Sequence, residues 1–299
     1  MNHLHDDKIK ELEEMAQKVR VSLVNALVKA GSGHTAGPLG MAEIFTYLYF
    51  HALKHDPKNP TWPERDYLVL SNGHICPVLY STMAHAGYFP VEDFENRLRA
   101  FGSPYQGHPH REYLPSLETS SGPLGSGLSQ AIGMAFGLRM DYGTSSDRFV
   151  YCLMSDGELD AGNTWEGAML AGREKLHNVI AIIDRNNIQI DGYTEDIMPL
   201  EPLREKWEAW NWHVQEIDGH NFEAIHEAVG QAKSVFEKPS VIIAHTVPGK
   251  GVSFAERKFS WHGSPPGQGP EDNFAKKDQA DAFLNELRTL GGAIKGEHE

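Results

Sequence analysis

Cysteine is nearly absent from this chain. The two present, Cys76 and Cys152, in 299 residues form no CxxC pair. That excludes a disulfide framework and a cysteine-based zinc site, and a reducing compartment is expected. No apolar run is long enough to span a bilayer. The start, MNHLHDDKIK, has no apolar signal segment, so a cytoplasmic chain is expected. Positive charge is in deficit: 27 Lys and Arg against 41 Asp and Glu leave a net charge of −14. Nucleic acid and anionic membranes, which need a basic face, are therefore excluded as partners. A phosphate ligand of such a chain has to be held locally, by metal, backbone N–H groups and a few histidines. There is no HExxH motif, no internal repeat and no low-complexity tract. The length is enough for a substantial core.

What is present is organised around residues 148–192, RFVYCLMSDGELDAGNTWEGAMLAGREKLHNVIAIIDRNNIQIDG. Two apolar runs, 149–154 and 179–183, bracket a segment in which Trp165, Met169, Leu170 and Leu176 have helical spacing. This predicts a strand, a helix and a second, parallel strand. The first run closes in Ser155-Asp156-Gly157 and the second in Asp184-Arg185-Asn186-Asn187. Ligands of an open parallel sheet sit beyond the carboxyl ends of its strands, so if the two are neighbours, Asp156 and Asn186 converge on one point. A carboxylate and an amide oxygen are hard ligands for Mg²⁺ or Ca²⁺, whose shells phosphate oxygens and water complete. Gly157 admits close approach of a phosphate, and the next helix turns its N-terminus toward it. These features describe a diphosphate site with its metal.

Elsewhere, spacing predicts helices over 8–30, stopped by Gly31, and over 39–53, with the turn Gly31-Ser32-Gly33-His34 between them. That turn either presents an imidazole at a cleft or simply caps a helix. A strand over 67–70 ends in Ser71-Asn72-Gly73-His74, and helices follow over 77–88 and 92–100. Residues 101–125 hold four Gly and four Pro without periodicity, a long loop of the kind that carries function. The run SGPLGSG then opens a helix over 128–142; alone it is a weak phosphate signal. A helix over 202–212 places Leu203, Trp207 and Trp210 in a core stripe. Strands 213–217 and 240–245 flank a helix over 222–236. Lys250 in TVPGKG is an anion contact or a solvated loop lysine, Trp261-His262-Gly263 lies in a Gly/Pro-rich loop, and a tail helix covers about 273–290. The alternation of β and α predicts an α/β fold, a doubly wound, mostly parallel sheet with helices on both faces.

An Asp-Gly closing one strand and an Asn closing the next, 30 residues on, resemble the motif of thiamine diphosphate enzymes. SDGELDAGNTWEGA and DRNNIQIDG resemble transketolase, specifically the amino-terminal half of transketolases split into two polypeptides. GSGHTAGPLG, SNGH, GHP and SGPLGSGLSQAIGMA follow in that family's order. The resemblance implies one thiamine diphosphate-binding domain over 1–299. It implies Mg²⁺, replaceable by Ca²⁺ or Mn²⁺, on Asp156, Asn186 and the carbonyl of Ile188. Cofactor contacts are implied for His74, Gly122, Leu124, Asp156, Gly157, Glu158, Asn186, Ile190 and His262. Substrate hydroxyls and proton transfer fall to His34, His108, His262 and His74, imidazole being the natural acid and base near neutral pH. The implied reaction moves a two-carbon ketol unit from a ketose (phosphate) to an aldose (phosphate). In the family, the glutamate that protonates the aminopyrimidine, and that ring's pocket, come from a second domain across a subunit interface. The expected partner is therefore a separate carboxyl-terminal subunit, in an α2β2 assembly whose single chains are inactive.

Three positions depart from the family pattern: Thr35 stands where Pro is usual, Ser155 where Gly is usual, and Ala161 where a glutamate joins a carboxylate network between sites. Glu166 keeps that network's second carboxylate. The alpha subunit of a 2-oxo acid dehydrogenase shares the Asp-Gly and Asn pattern, but the four histidine motifs favour transketolase. A metal-dependent hydrolase has no use for the Gly-rich loop. A non-catalytic regulatory subunit has none for His34, His108 and His262.

Overall fold

A computed structural model describes residues 3–289. The central strands form because their sequences are apolar on both faces. Strands β1 (Tyr67–Leu70), β2 (Val150–Ser155) and β3 (Val179–Arg185) precede a short hairpin of β4 (Ile188–Gln189) and β5 (Gly192–Tyr193); β6 (His213–Asp218) and β7 (Ser240–His245) follow. The sheet is five-stranded, in the order β1-β2-β3-β7-β6, with every pairing parallel. Every residue of β2 and β3 is buried, as parallel strands covered on both faces require. The edge strand β6 is instead mixed in burial.

Side chains alternate between two cores. Tyr151, Leu153, Ile180, Ile182 and Ile242 face one, and Val150, Cys152, Met154, Ala181, Ile183 and Val241 face the other. The first core is closed by α1 (Asp6–Ala30), α2 (Ala36–Gly40), α3 (Ala42–Tyr47), α4 (Cys76–His85) and α5 (Val91–Arg97). The second is closed by α6 (Ser126–Tyr142) and α7 (Gly162–Glu174), and, after the single turn α8 (Thr194–Ile197), by α9 (Leu203–Ala209). Helices α10 (Phe222–Ser234) and α11 (Lys276–Thr289) return to the first core through Phe222, Ile225, Val229, Phe283 and Leu287. This is the expected doubly wound α/β arrangement. Among the described residues no helix is long and apolar enough to cross a membrane.

Three local expectations need correction. The helix expected over 39–53 starts at Ala36, breaks at Met41 and ends in a π turn over Leu48–Ala52. The stripe of Trp207 and Trp210 also fails. The helix stops at Ala209, Asn211 takes a left-handed φ of 64°, and Trp210 stays 38% exposed. Trp212 swings inward instead, 4.9 Å from the Trp207 ring, and its Nε1–H donates to the Ala168 carbonyl. The hairpin of β4 and β5 is too short to carry a periodicity and was not expected. Residue 290 of the tail helix lies outside the described residues.

Candidate active site

Strands β2 and β3 are neighbours, with Ser155 opposite Asp184, so their ends lie side by side. Four separate segments meet above them. The turn after α1, the turn after β1, the loop 101–125 and the loop around Trp261 bring His34, His74, His108 and His262 to one cleft of about 260 Å³. Ring centroids of His34, His74 and His262 stand 4.9, 5.4 and 5.2 Å apart, a triangle of imidazoles. Gly122, Leu124, Gly157, Asn186, Ile188 and Ile190 line the same cleft. Ser155 and Gln189 line it as well and were missed. Gln189 is held over Gly157 by its Nε2–H bond to Asp160, and only the pairing of β4 brings it there. Lys250 is buried and is not among the residues lining the cleft.

Close packing of glycines assembles the site. A Cβ on Gly73 would come within 2.7 Å of Ser121, which seats SNGH directly on the Gly-rich loop. Gly33, at a φ of +132°, takes a conformation that L side chains rarely adopt. Thr35, the departure from the family's proline, ties two of the histidine turns together. Its N–H donates to the His262 carbonyl at 3.3 Å and its hydroxyl to the Ser264 carbonyl at 2.8 Å. A proline can make neither bond.

Burial lowers the basicity of all four imidazoles. The His34 pKa falls to about 4, by burial first and then by His262, His108 and Arg99; that of His262 falls to about 4 by burial. His74 is depressed by burial and by the other three histidines, and His108 by burial and then Arg99. The ring atoms Nδ1 of His34 and His262 are buried and have no hydrogen-bond partner. Neutral, unpartnered imidazoles facing a cleft are prepared to take a proton from a ligand or to hold its polar groups.

Two expected residues lie behind the cleft wall and not on it. Asp156 is fully buried. Its Oδ1 accepts from Gly157 N–H at 2.7 Å, and its Oδ2 accepts from Asn187 N–H at 2.7 Å and Arg185 Nη1 at 3.2 Å. Arg185 in turn pairs with Glu195 and Glu201. Burial outweighs these bonds and pushes the Asp156 pKa up to about 6. Glu158 is the second; it is 1% exposed and accepts from Ser71, Gly125 and Ser155.

Asn186 is oriented by Asp184, a residue to which the sequence assigned no role. The Asn186 amide donates to Asp184 Oδ2 at 2.7 Å, and its Oδ1 accepts from Ile188 N–H at 3.0 Å, which turns the oxygen and not the nitrogen away from Asp184. Asp184, bonded also by the Thr246 hydroxyl, has its pKa raised to about 7 by burial and then by Asp156. Among the described residues no group of three or more His, Cys, Asp and Glu side chains is placed to hold a metal. The donor set at the strand ends is of another kind: a buried carboxylate whose one cationic partner, Arg185, is shared with Glu195 and Glu201, an amide oxygen and a main-chain carbonyl. It fits a hard divalent cation that shares its shell with a phosphate ligand.

Residues 12–280 match the family model of the transketolase thiamine diphosphate binding domain. The chain is 44% identical over 252 residues to the 6-deoxy-6-sulfo-D-fructose transketolase subunit SqwG of a Clostridium species, covering 84% of this chain and 90% of that one. It is 39% identical over 259 residues to an apulose-4-phosphate transketolase subunit of Phocaeicola vulgatus, covering 87% of this chain and 90% of that one. The crystal structure of Campylobacter jejuni transketolase superposes with a TM-score of 0.80 at 36% identity, over 94% of this chain. The chain spans 47% of that longer polypeptide.

Proposed function

The chain belongs to the transketolase family as its thiamine diphosphate-binding, amino-terminal part, and from that premise we propose that it is one of two subunits of a split transketolase. With a separate carboxyl-terminal subunit it transfers a two-carbon ketol unit from a ketose to an aldose, each carrying an anionic end group. The observation that carries this reading is the convergence of His34, His74, His108 and His262 on one cleft beside the Asp156 and Asn186 strand ends. The family match decides for transketolase over a 2-oxo acid dehydrogenase or a hydrolase.

Thiamine diphosphate, when bound, supplies the carbon that accepts the ketol unit. Mg²⁺ is held by Asp156, the Asn186 oxygen and the Ile188 carbonyl, with Ca²⁺ or Mn²⁺ able to replace it. A cation there would favour the ionised form of Asp156, which burial disfavours. Gly157, with no side chain, lets the diphosphate approach the turn. His74 and His262 meet the diphosphate and ring side, Gly122 and Leu124 the aminopyrimidine, and Ile190 the ring's apolar face. His34 and His108, neutral at physiological pH, take protons from the sugar hydroxyls and return them.

The partner supplies the catalytic glutamate and the other wall of the aminopyrimidine pocket. The reading includes an α2β2 assembly in the cytoplasm. The names of the two relatives, one for a sulfonated ketose and one for a phosphorylated one, support an anionic substrate. The test is calorimetry of thiamine diphosphate with the chain and its partner subunit mixed. Tight binding that requires Mg²⁺ and is lost in Asp156→Ala is expected; metal-independent binding, or none, overturns the assignment.

A further inference from the structure

Glu158 is two residues beyond Asp156 in the same turn and, like it, is buried and does not line the cleft. The groups around its carboxylate come from three segments, and each is a donor. Oε1 accepts from the Ser71 hydroxyl at the end of β1 and from Gly125 N–H at 3.2 Å. Oε2 accepts from Ser155 N–H at 3.1 Å and stands 3.5 Å from the Ser155 hydroxyl at the end of β2. The Ser71 oxygen itself accepts from Gly127 N–H at 3.0 Å. No lysine or arginine among the described residues pairs with this carboxylate, so hydrogen bonds alone hold a buried acid, an arrangement that is costly unless every lone pair is used.

The consequence lies in the Gly-rich loop. Gly125, directly bonded to Glu158, and Gly127, bonded through Ser71, are the last residues of the segment that carries Gly122 and Leu124. The near end of the segment is pinned by Ser121 N–H to the Pro109 carbonyl and by the packing of Gly73 against Ser121. Gly125 has a φ of +81°, and a Cβ there would meet Asn163, Ala161 and Thr164 at 2.5 to 3.0 Å, so the loop backbone packs directly against the start of α7. Ser155, where the family pattern has glycine, brings one more hydroxyl to the carboxylate.

We propose that Glu158 is a positioning residue that fixes the Gly122–Leu124 backbone for the aminopyrimidine end of the cofactor. Asp156, in the same turn, serves the metal and diphosphate end. The two carboxylates thus divide one ligand between them. The proposal rests on the reading of the cleft as a thiamine diphosphate site.

A carboxylate accepts at every position, whereas a glutamine brings an N–H₂ group against the Ser155 N–H or the Gly125 N–H. Glu158→Gln is therefore the first variant, and Ser71→Ala, which keeps the carboxylate but removes the hydroxyl that donates to Glu158 and accepts from Gly127 N–H, is the second. Both are measured in the full chain with its partner subunit. Calorimetry reads two probes, thiamine diphosphate with Mg²⁺ and inorganic diphosphate with Mg²⁺, and amide exchange reads Gly125 and Gly127. The expected result is thiamine diphosphate affinity reduced by about tenfold or more, the scale of losing an outer-shell partner. Inorganic diphosphate should bind as in the wild type, and exchange at the two glycine amides should be faster. Equal weakening of both probes, or no change in either, overturns the proposal. Should Glu158→Gln not fold, Ser71→Ala decides by the same comparison. Wild-type protein that binds neither probe refutes the cofactor site itself, and this proposal with it.

Discussion

Removing one imidazole from the cleft changes how stability depends on pH. A histidine whose pKa is 6.5 unfolded and about 4 folded binds fewer protons in the native state throughout that interval. Stability attributable to His34 is therefore highest above pH 6.5, declines as the pH falls toward 4, and levels off below. Integrated from pH 7 to pH 5, the loss from His34 alone is about 2 kcal/mol. The wild-type curve does not show this directly. Asp156 and Asp184, with folded pKa values raised to about 6 and 7, act in the opposite sense, since the cost of burying their charges is relieved as the pH falls. Both carboxylates remain in His34→Gln, so the comparison removes their contribution and reports His34 together with its effect on His74. Urea unfolding of ligand-free protein at pH 7 and pH 5 is the assay. The wild type is expected to lose about 2 kcal/mol more than the variant between the two pH values. Parallel curves would mean that His34 titrates as in water, and the desolvated, neutral imidazole cluster on which proton transfer depends would be refuted.

Two more predictions concern single residues. His108→Ala is expected to lower turnover of the assembled enzyme while leaving thiamine diphosphate affinity within about twofold, since its side chain is assigned to substrate; a loss of cofactor affinity with normal turnover reassigns it. Gly172→Ala places a methyl 1.8 Å from the Trp210 carbonyl oxygen in a buried helix contact, and overpacking of this kind costs about 1–3 kcal/mol, read as a fall in midpoint by thermal unfolding.

Much of the site was legible because its signals are local. The apolar runs of β2 and β3 end in polar residues at any distance from the rest of the chain, so Asp156, Gly157 and Asn186 stood out, as did the Gly-rich run at 121–127 and the four histidine motifs. Apart from Asp156, which lies behind the wall, residues of these motifs line one cleft. Gln189 and Asp184 were not legible. Gln189 reaches the cleft through a two-residue hairpin, and Asp184 acts by orienting another side chain. Trp210 and Trp212 exchanged roles because a left-handed Asn211 ends the helical period, and nothing in the spacing marks where that happens.

The sequence by itself determined the order of strands and helices, the parallel sheet and the chemical types of the site residues, since hydrophobic period and strand-end polarity are properties of the chain within a few residues. Only the tertiary structure decided which of those residues face the ligand. Asp156 and Glu158 are two positions apart in one turn, and both were expected to contact the cofactor. The fold surrounds one with Arg185 and the Asn187 amide at the neighbouring strand end, and the other with Ser71, Ser155 and Gly125 behind the loop. Which donors meet a carboxylate depends on segments as far as 87 residues away in the chain, and those meet only when the sheet closes.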